Sequence, residues 1–129
     1  MSTFRSFEEI EAWQKARLLT RKIYTESNAG KFQRDFGLRD QIRRASVAII
    51  SNTAEGFERG GNKEFLQFLS VAKGSAGEVK SQLYVALEQS YLTKERFDEL
   101  FRLAEEDTQL IGGLMRYLCM SKMRGANYK

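Results

Sequence analysis

QIRRASVAIISNTAEGFERGGNKEFLQFL, residues 41–69, is the stretch that decides the fold of this chain. Its first half spaces apolar residues alternately by three and four, which is the pattern of one face of an α-helix. Glycines then interrupt the pattern, and Gly56 predicts the end of a helix that runs from about Leu38 to Glu55. After a glycine-rich loop, Asn62 is placed to cap the next helix. The stretch therefore predicts two helices joined by a short turn.

The helix after Asn62 has the most regular apolar pattern in the chain. Its apolar residues follow four–three spacing for three heptads, which is typical of the buried seam of a helical bundle. They are Phe65, Leu69, Ala72, Ala76, Val79, Leu83 and Ala86. Thr93 is placed to cap a fourth helix with a similar seam, formed by Phe97, Leu100, Ala104, Asp107, Ile111, Leu114 and Leu118. Because about thirty helical residues span roughly 45 Å, these two helices are expected to form a long hairpin.

The N-terminal segment predicts one more helix, followed by a loop. Ser6 and Glu9 have the spacing of a capping box. The apolar stripe behind them predicts a helix that ends near Ser27. The loop that follows contains Phe32 and Phe36, which are expected to tuck against the bundle.

The composition fits one helical domain. The chain contains no proline, the residue type that breaks helices. We therefore predict a single all-α domain over residues 1–129. Its expected architecture is an antiparallel up-and-down four-helix bundle with a long hairpin of helices three and four.

Several function classes are disfavoured by the residues that are missing. The chain has no histidine and one cysteine, which removes the usual acid–base groups and zinc ligands. We therefore expect no catalytic residue, cofactor or metal site; an enzyme would need a pocket built from Glu55, Asp107 and lysines. Cys119 is expected to pack in an apolar stretch. No apolar run is long enough for a membrane span or signal region, so a cytoplasmic protein is expected.

Asn52 and Glu55 stand on an otherwise apolar face of helix two. Because buried polar groups need hydrogen-bond partners, we interpret them as a structural clasp with the segment around Ser75 in helix three. The alternative is a catalytic carboxylate with a positioning amide. Gly74 and Gly77 flank Ser75, and a glycine inside a helix costs about 1 kcal/mol relative to alanine. Close backbone approach is therefore expected at these glycines.

Both long helices carry a second set of apolar residues off the main seam. Large exposed apolar patches are rare on monomers, so these sets predict a surface for self-association; the alternative is a wide core-facing surface. The sets are Phe68, Val71, Tyr84, Leu87 and Tyr91 in helix three, and Leu103, Leu110, Tyr117 and Met120 in helix four.

The basic residues are the candidates for binding. The net charge is +4, and a basic surface favours partners that carry phosphate. Arg39 and Arg43 lie one helical turn apart, as do Arg17 and Arg21, and a nearby polyanion would relieve their repulsion. Arg44 is a further candidate, although Asp40 is placed to pair with it. Lys122 and Arg124, in the basic C-terminal tip, complete the set.

Four stretches carry a resemblance to a known family: FEEIEAWQKARLLTRKIY, FGLRDQIRRASVAIISNTAEGF, NKEFLQFLSVAKGSAGEV and QSYL. They resemble the four-helix-bundle proteins encoded in intervening sequences of bacterial 23S ribosomal RNA, a family similar to the accessory protein of diversity-generating retroelements. The resemblance implies an antiparallel bundle that assembles into a homopentameric ring and has no established catalytic activity. It also implies binding of nucleic acid and a reverse transcriptase, as in the retroelement relatives. Of the family's partner-facing positions, Arg43 and Arg44 can be placed here.

The chain departs from the family pattern in a few places. Ile50 stands where the family has proline, Thr53 replaces an aliphatic residue, and the loop between helices one and two lacks proline. The bundle is expected to survive these changes.

Two functional hypotheses follow from the basic residues and the resemblance. The first is a non-enzymatic oligomer that binds structured RNA or DNA through basic side chains. The second is a protein–protein adaptor on which a reverse transcriptase or ribosomal factor docks. The second predicts that charge reversal at Arg39 and Arg43 abolishes capture of the partner while bare RNA binds weakly.

Overall fold

The computed structural model describes the backbone of residues 4–127 and the side chains of residues 4–121. A short 3-10 turn at Phe7–Glu9 precedes the α-helices. The five helices are α1 (Glu11–Ser27), α2 (Gly30–Arg34), α3 (Phe36–Glu58), α4 (Asn62–Glu88) and α5 (Lys94–Asn127). Residues 4–127 contain no strand, so the predicted all-α class is confirmed. None of the helices in this range combines the length and apolar character needed to cross a bilayer.

The four long helices pack side by side around one core. The helix α3 lies between α1 and α4, and α5 also contacts both α1 and α4. All seven seam residues predicted for α4 are buried, from Phe65 at 3% exposure to Ala86 at 0%. In α5, Leu114 is partly exposed while the other seam residues are buried. Apolar periodicity therefore predicted the core of the two long helices almost residue by residue.

Gly56 does not end its helix. It lies inside α3, which continues to Glu58. A Cβ atom on Gly56 would lie only 2.7 Å from the Cβ of Phe68 and 3.0 Å from a ring carbon of Phe65. The prediction of a stop at Gly56 is wrong, because the glycine is required for close approach of α3 to α4.

A Gly56→Ala variant is expected to lower the free energy of unfolding by about 1–3 kcal/mol, because the new methyl group overpacks the α3–α4 contact. Gly37→Ala, near the start of the same helix, is the matched control, since among the nearby atoms a Cβ there would meet only the Asp35 Oδ1, at an ordinary 3.8 Å. It should raise stability by up to about 1 kcal/mol through helix propensity. Urea unfolding measures both variants, and equal changes would contradict this account of Gly56.

Two of the three predicted N-caps are wrong. The Ser6 side chain makes no capping bond, and α1 begins at Glu11; the Glu9 carboxylate accepts a hydrogen bond from the Arg5 backbone N–H at 2.9 Å. Asn62 is already the first residue of α4. Thr93 is confirmed as a cap, because its hydroxyl oxygen accepts from the Arg96 N–H at 3.1 Å.

The predicted loop after α1 contains the short helix α2. Within it, Phe32 is buried and stacks on Tyr91, with 5.4 Å between ring centroids. The Tyr91 hydroxyl donates to Asp35 at 2.9 Å, and this bond raises the pKa of Tyr91. Asp35 in turn caps α3 by accepting from the Leu38 N–H. The prediction for Phe36 is wrong, because its side chain is 63% exposed on the first turn of α3.

Candidate nucleic-acid interface

Arg43 joins α1 to α3 on the outside of the bundle. Its Nε donates to the Ser27 hydroxyl oxygen at 2.8 Å. Its guanidinium carbon lies 4.7 Å from the centre of the Tyr24 ring, in the range of a cation–π contact. Because Tyr24 is 42% exposed, this arginine and this ring form a fixed pair that remains accessible from solvent.

Arg39, one turn before Arg43, is also held in place. Its guanidinium carbon lies 4.8 Å from the centre of the Phe36 ring. It donates to Asp40 at 3.0 Å and to the Gln33 carbonyl at 3.1 Å. The expected pairing of Asp40 with Arg44 is therefore wrong, since the carboxylate pairs with Arg39 instead.

Arg17 and Arg21 extend the basic surface along α1. The guanidinium carbon of Arg17 lies 5.5 Å from the centre of the Trp13 ring, which packs on Phe7 at 5.2 Å. Trp13, Arg17 and Arg21, with Leu18, line a shallow groove of about 280 Å³. Both arginines are exposed, so the groove is open to a ligand.

These residues form one surface, which we name the arginine–aromatic face. On each helix its members recur three or four residues apart, the spacing that puts side chains on one side of a helix. The members are Trp13, Arg17, Arg21 and Tyr24 on α1, and Phe36, Arg39 and Arg43 on α3.

Three of the four arginines on the arginine–aromatic face have charges available to an anion, whereas Arg39 is paired with Asp40. Arg17, Arg21 and Arg43 form no ion pair with another of the described side chains, and neither does the neighbouring exposed Arg44. The other flank of α1 differs, because its basic residues pair with acids of α5. Lys15 contacts Glu106 at 3.1 Å and Lys22 contacts Glu99 at 3.0 Å. The free cations of α1 are thus concentrated on one side.

The aromatic partners of the arginines were missed from the sequence. The spacings Trp13 to Arg17 and Phe36 to Arg39 are those of neighbours on a helix surface, so two pairs could have been predicted. The pair of Tyr24 with Arg43 depends on the packing of α1 against α3, which no local spacing reveals.

Lys122 and Arg124 lie near the end of α5, outside the residues whose side chains are described. Their predicted role in binding stays a prediction.

The predicted clasp does not form within the subunit. The Asn52 amide donates to the Ala48 carbonyl of its own helix at 2.8 Å. Glu55 is exposed and pairs with Arg59 at 2.6 Å. Ser75 is buried at 8% exposure, yet neither side chain bonds to it among the described contacts. The clasp is wrong because the Asn52 amide and the Glu55 carboxylate each find a partner one turn away along the chain, at Ala48 and Arg59.

Part of the predicted self-association surface is open to solvent. Tyr84, Tyr117 and Met120 are 51%, 45% and 57% exposed, and Val71 is 54% exposed. Of the others, Leu103 is buried, and Phe68, Leu87, Tyr91 and Leu110 are half-buried. These five therefore fit the wide core-facing surface that was the alternative interpretation.

A groove of about 400 Å³ lies between α4 and α5. Met115 and Met120 contribute apolar atoms to it, and Lys73 and Arg116 contribute cations. Cys119 also lines the groove and is exposed, so the expected packing role of this residue is wrong.

The expected close approach at Gly74 and Gly77 is also absent within the subunit. Both glycines are exposed, and no atom lies within 4 Å of the Cβ position of either. No neighbouring element of this subunit therefore explains them.

Comparison with known proteins identifies the family. The chain is similar to a protein with unknown function from the S23 ribosomal protein family of Bacteroides thetaiotaomicron, whose crystal structure was determined at 1.70 Å. The two are 20% identical with a TM-score of 0.73, and the match covers 81% of this chain and 97% of the other. No curated protein sequence matches this chain. The family model of the 23S rRNA-intervening sequence protein matches residues 8–113, and the chain belongs to this family.

Proposed function

We propose that this protein is a cytoplasmic, non-enzymatic, up-and-down four-helix bundle that binds structured RNA or DNA through the arginine–aromatic face. The observation that carries the proposal is that Arg17, Arg21 and Arg43 lie on one side of α1 and α3 and form no ion pair with another described side chain. The assignment of the structural relative to an S23 ribosomal protein family fits such a ligand.

Binding of this kind depends mainly on phosphate contacts. Its affinity falls steeply with salt, because each neutralised phosphate releases counterions. Arginine and backbone contacts of this type position the ligand without reading its bases. The test is fluorescence polarisation of a labelled RNA hairpin with the purified protein at about 50 mM salt, a range in which phosphate contacts are strong. No measurable affinity there would rule the proposal out.

Assembly with copies of itself is the second part of the proposal, and the resemblance implies a homopentamer. The exposed apolar side chains Tyr117 and Met120 support it, as do the open Cβ positions of Gly74 and Gly77. A second subunit that packs against the helix backbone at these two glycines would offset the helix propensity lost at each glycine. A ring would also multiply the arginine–aromatic faces, so that weak phosphate contacts add together.

Tyr117→Glu combined with Met120→Glu is expected to reduce the assembly to a subunit of 14.9 kDa, because two charges would have to be buried in an apolar interface. Light scattering after gel filtration measures the mass. Gln41→Glu with Ser51→Glu, both exposed on α3, adds charge outside the groove and should leave the mass unchanged. A wild-type protein of subunit mass would contradict self-association.

A protein–protein adaptor remains the second candidate function. The groove between α4 and α5, with apolar side chains beside Lys73 and Arg116, favours a protein partner such as a reverse transcriptase or ribosomal factor. Charge reversal at Arg39 and Arg43 tests this candidate, because an adaptor would then lose its partner although bare RNA binds only weakly to the wild type.

A further inference from the structure

Three arginines of the arginine–aromatic face each lie over an aromatic ring. The distances from guanidinium carbon to ring centre are 5.5 Å for Arg17 and Trp13, 4.7 Å for Arg43 and Tyr24, and 4.8 Å for Arg39 and Phe36. A guanidinium is planar and stacks on flat π systems. The three pairs therefore offer three flat cationic surfaces rather than three isolated charges.

Two of the three pairs are fixed before any ligand arrives. Arg43 is tethered to Ser27 through its Nε, and Arg39 is tethered to Asp40 and the Gln33 carbonyl. Their rings are nevertheless open, with Tyr24 42% and Phe36 63% exposed. Contact with phosphate alone needs a cation but no ring. An exposed phenylalanine beneath a tethered arginine is better explained by a flat ligand that stacks there.

The spacing of the three pairs matches the path of a single nucleic-acid strand. Phe36 and Arg43 are two turns apart on α3, about 10 Å along the axis, and Trp13 and Tyr24 are three turns apart on α1, about 16 Å. Successive bases of one strand lie roughly 3.4 Å apart when stacked. The pairs are therefore separated by a few nucleotides each, which suits a strand that runs along the face.

We propose that the arginine–aromatic face binds unpaired nucleotides, with bases stacked on the Arg17–Trp13, Arg43–Tyr24 and Arg39–Phe36 pairs. Bases in a duplex are already stacked on each other, whereas unpaired bases present a free face to aromatic and guanidinium planes. This inference rests on the proposed function and narrows its ligand to single-stranded segments of RNA or DNA.

Trp13 provides a direct readout, because it is the sole tryptophan of the chain. The purified full-length protein is titrated with a twelve-nucleotide oligo(U) and, separately, with a blunt RNA duplex that carries the same number of phosphates. We expect saturable quenching of tryptophan fluorescence by the single strand, and at least tenfold tighter binding of the single strand than of the duplex.

A pair of variants isolates stacking from charge. Tyr24→Leu removes a ring beneath Arg43, while the control Val85→Ala shortens an apolar side chain of equal exposure on α4, at 42% in both cases. Only Tyr24→Leu should weaken oligo(U) binding, by roughly tenfold, which is typical of the loss of stacking for one base. Duplex binding should not change in either variant. Phe36 is exposed, so Phe36→Ala should leave the core unchanged. We expect it to weaken oligo(U) binding as much as Tyr24→Leu does.

The outcomes separate the two claims. Equal affinity for single strand and duplex without quenching would overturn this inference and leave the proposed function standing, as would equal losses of affinity in Tyr24→Leu and Val85→Ala. Absence of binding to either RNA would overturn the proposed function itself.

Discussion

Replacing Arg17 and Arg21 together by glutamate is expected to weaken nucleic-acid binding by roughly 100-fold at low salt, because each exchange removes a phosphate contact and adds repulsion. The two side chains are exposed and form no ion pair with another described residue. Their loss should therefore leave the fold intact. The salt dependence should also become shallower, by about 0.7–0.9 in the slope of log K against log salt for each lost contact.

The control for this prediction is a variant with the same change in net charge placed elsewhere. Arg59→Glu combined with Arg102→Glu meets this requirement, since both arginines are exposed and lie outside the arginine–aromatic face. Fluorescence polarisation with one RNA hairpin at several salt concentrations compares the variants. If the control loses as much affinity as the Arg17 and Arg21 variant, net charge and not this face determines binding.

The core of the bundle was predictable because burial imposes a period on the sequence. Residues such as Leu69, Val79 and Ile111 are all at 0% exposure, and a helix can bury them together only at spacings of three and four. Glycines carry no such unique signal. Gly56 was interpreted as a stop, whereas the structure uses it for contact with Phe68; a helix end and a close crossing both favour the same residue.

The charges of the arginine–aromatic face were predicted from the sequence, whereas its aromatic residues were not. Arg17 with Arg21 and Arg39 with Arg43 were found from their spacing along each helix. The ion pair of Asp40 could not be predicted in the same way. Arg39 and Arg44 are both within its reach, and side-chain packing decides between them. The hydrogen-bond partner of Asn52 was ambiguous in the same way. A polar residue on an apolar stripe can bond to a neighbouring helix or to its own, and Asn52 donates within its own helix.

Asp107 is the least favourably placed side chain of the core. A carboxylate on the seam of a bundle is stable when it is paired or hydrated. Instead Asp107 is 0% exposed, and neither carboxylate oxygen has a hydrogen-bond partner among the described residues. Burial raises its pKa from 3.8 to about 8, while the charge of Lys15 opposes the shift. At neutral pH the protonated form therefore predominates.

This shift makes stability depend on pH in a defined direction. Between the unfolded pKa near 4 and the folded pKa of about 8, the folded chain holds a proton that the unfolded chain has released. The contribution of Asp107 to stability is therefore greatest below pH 4 and declines as the pH rises toward 8, by up to about 1.4 kcal/mol for each pH unit. Above pH 8 the contribution of this proton is lost, because both states are then ionised.

Asp107→Asn is expected to remove this dependence, because the amide has a similar size and does not ionise. At pH 8 the variant should exceed the wild type in unfolding free energy by several kcal/mol, the order of magnitude of an uncompensated buried charge, and near pH 4 the two should converge. Urea unfolding at fixed protein concentration from pH 4 to pH 8 measures both curves. Asp98→Asn, an exposed partner of Lys94 on the same helix, is the control and should follow the wild type closely, because exposed pairs contribute little. Parallel curves for Asp107→Asn and the wild type would contradict this account, because they would show that the Asp107 carboxylate is solvated or paired in the folded protein.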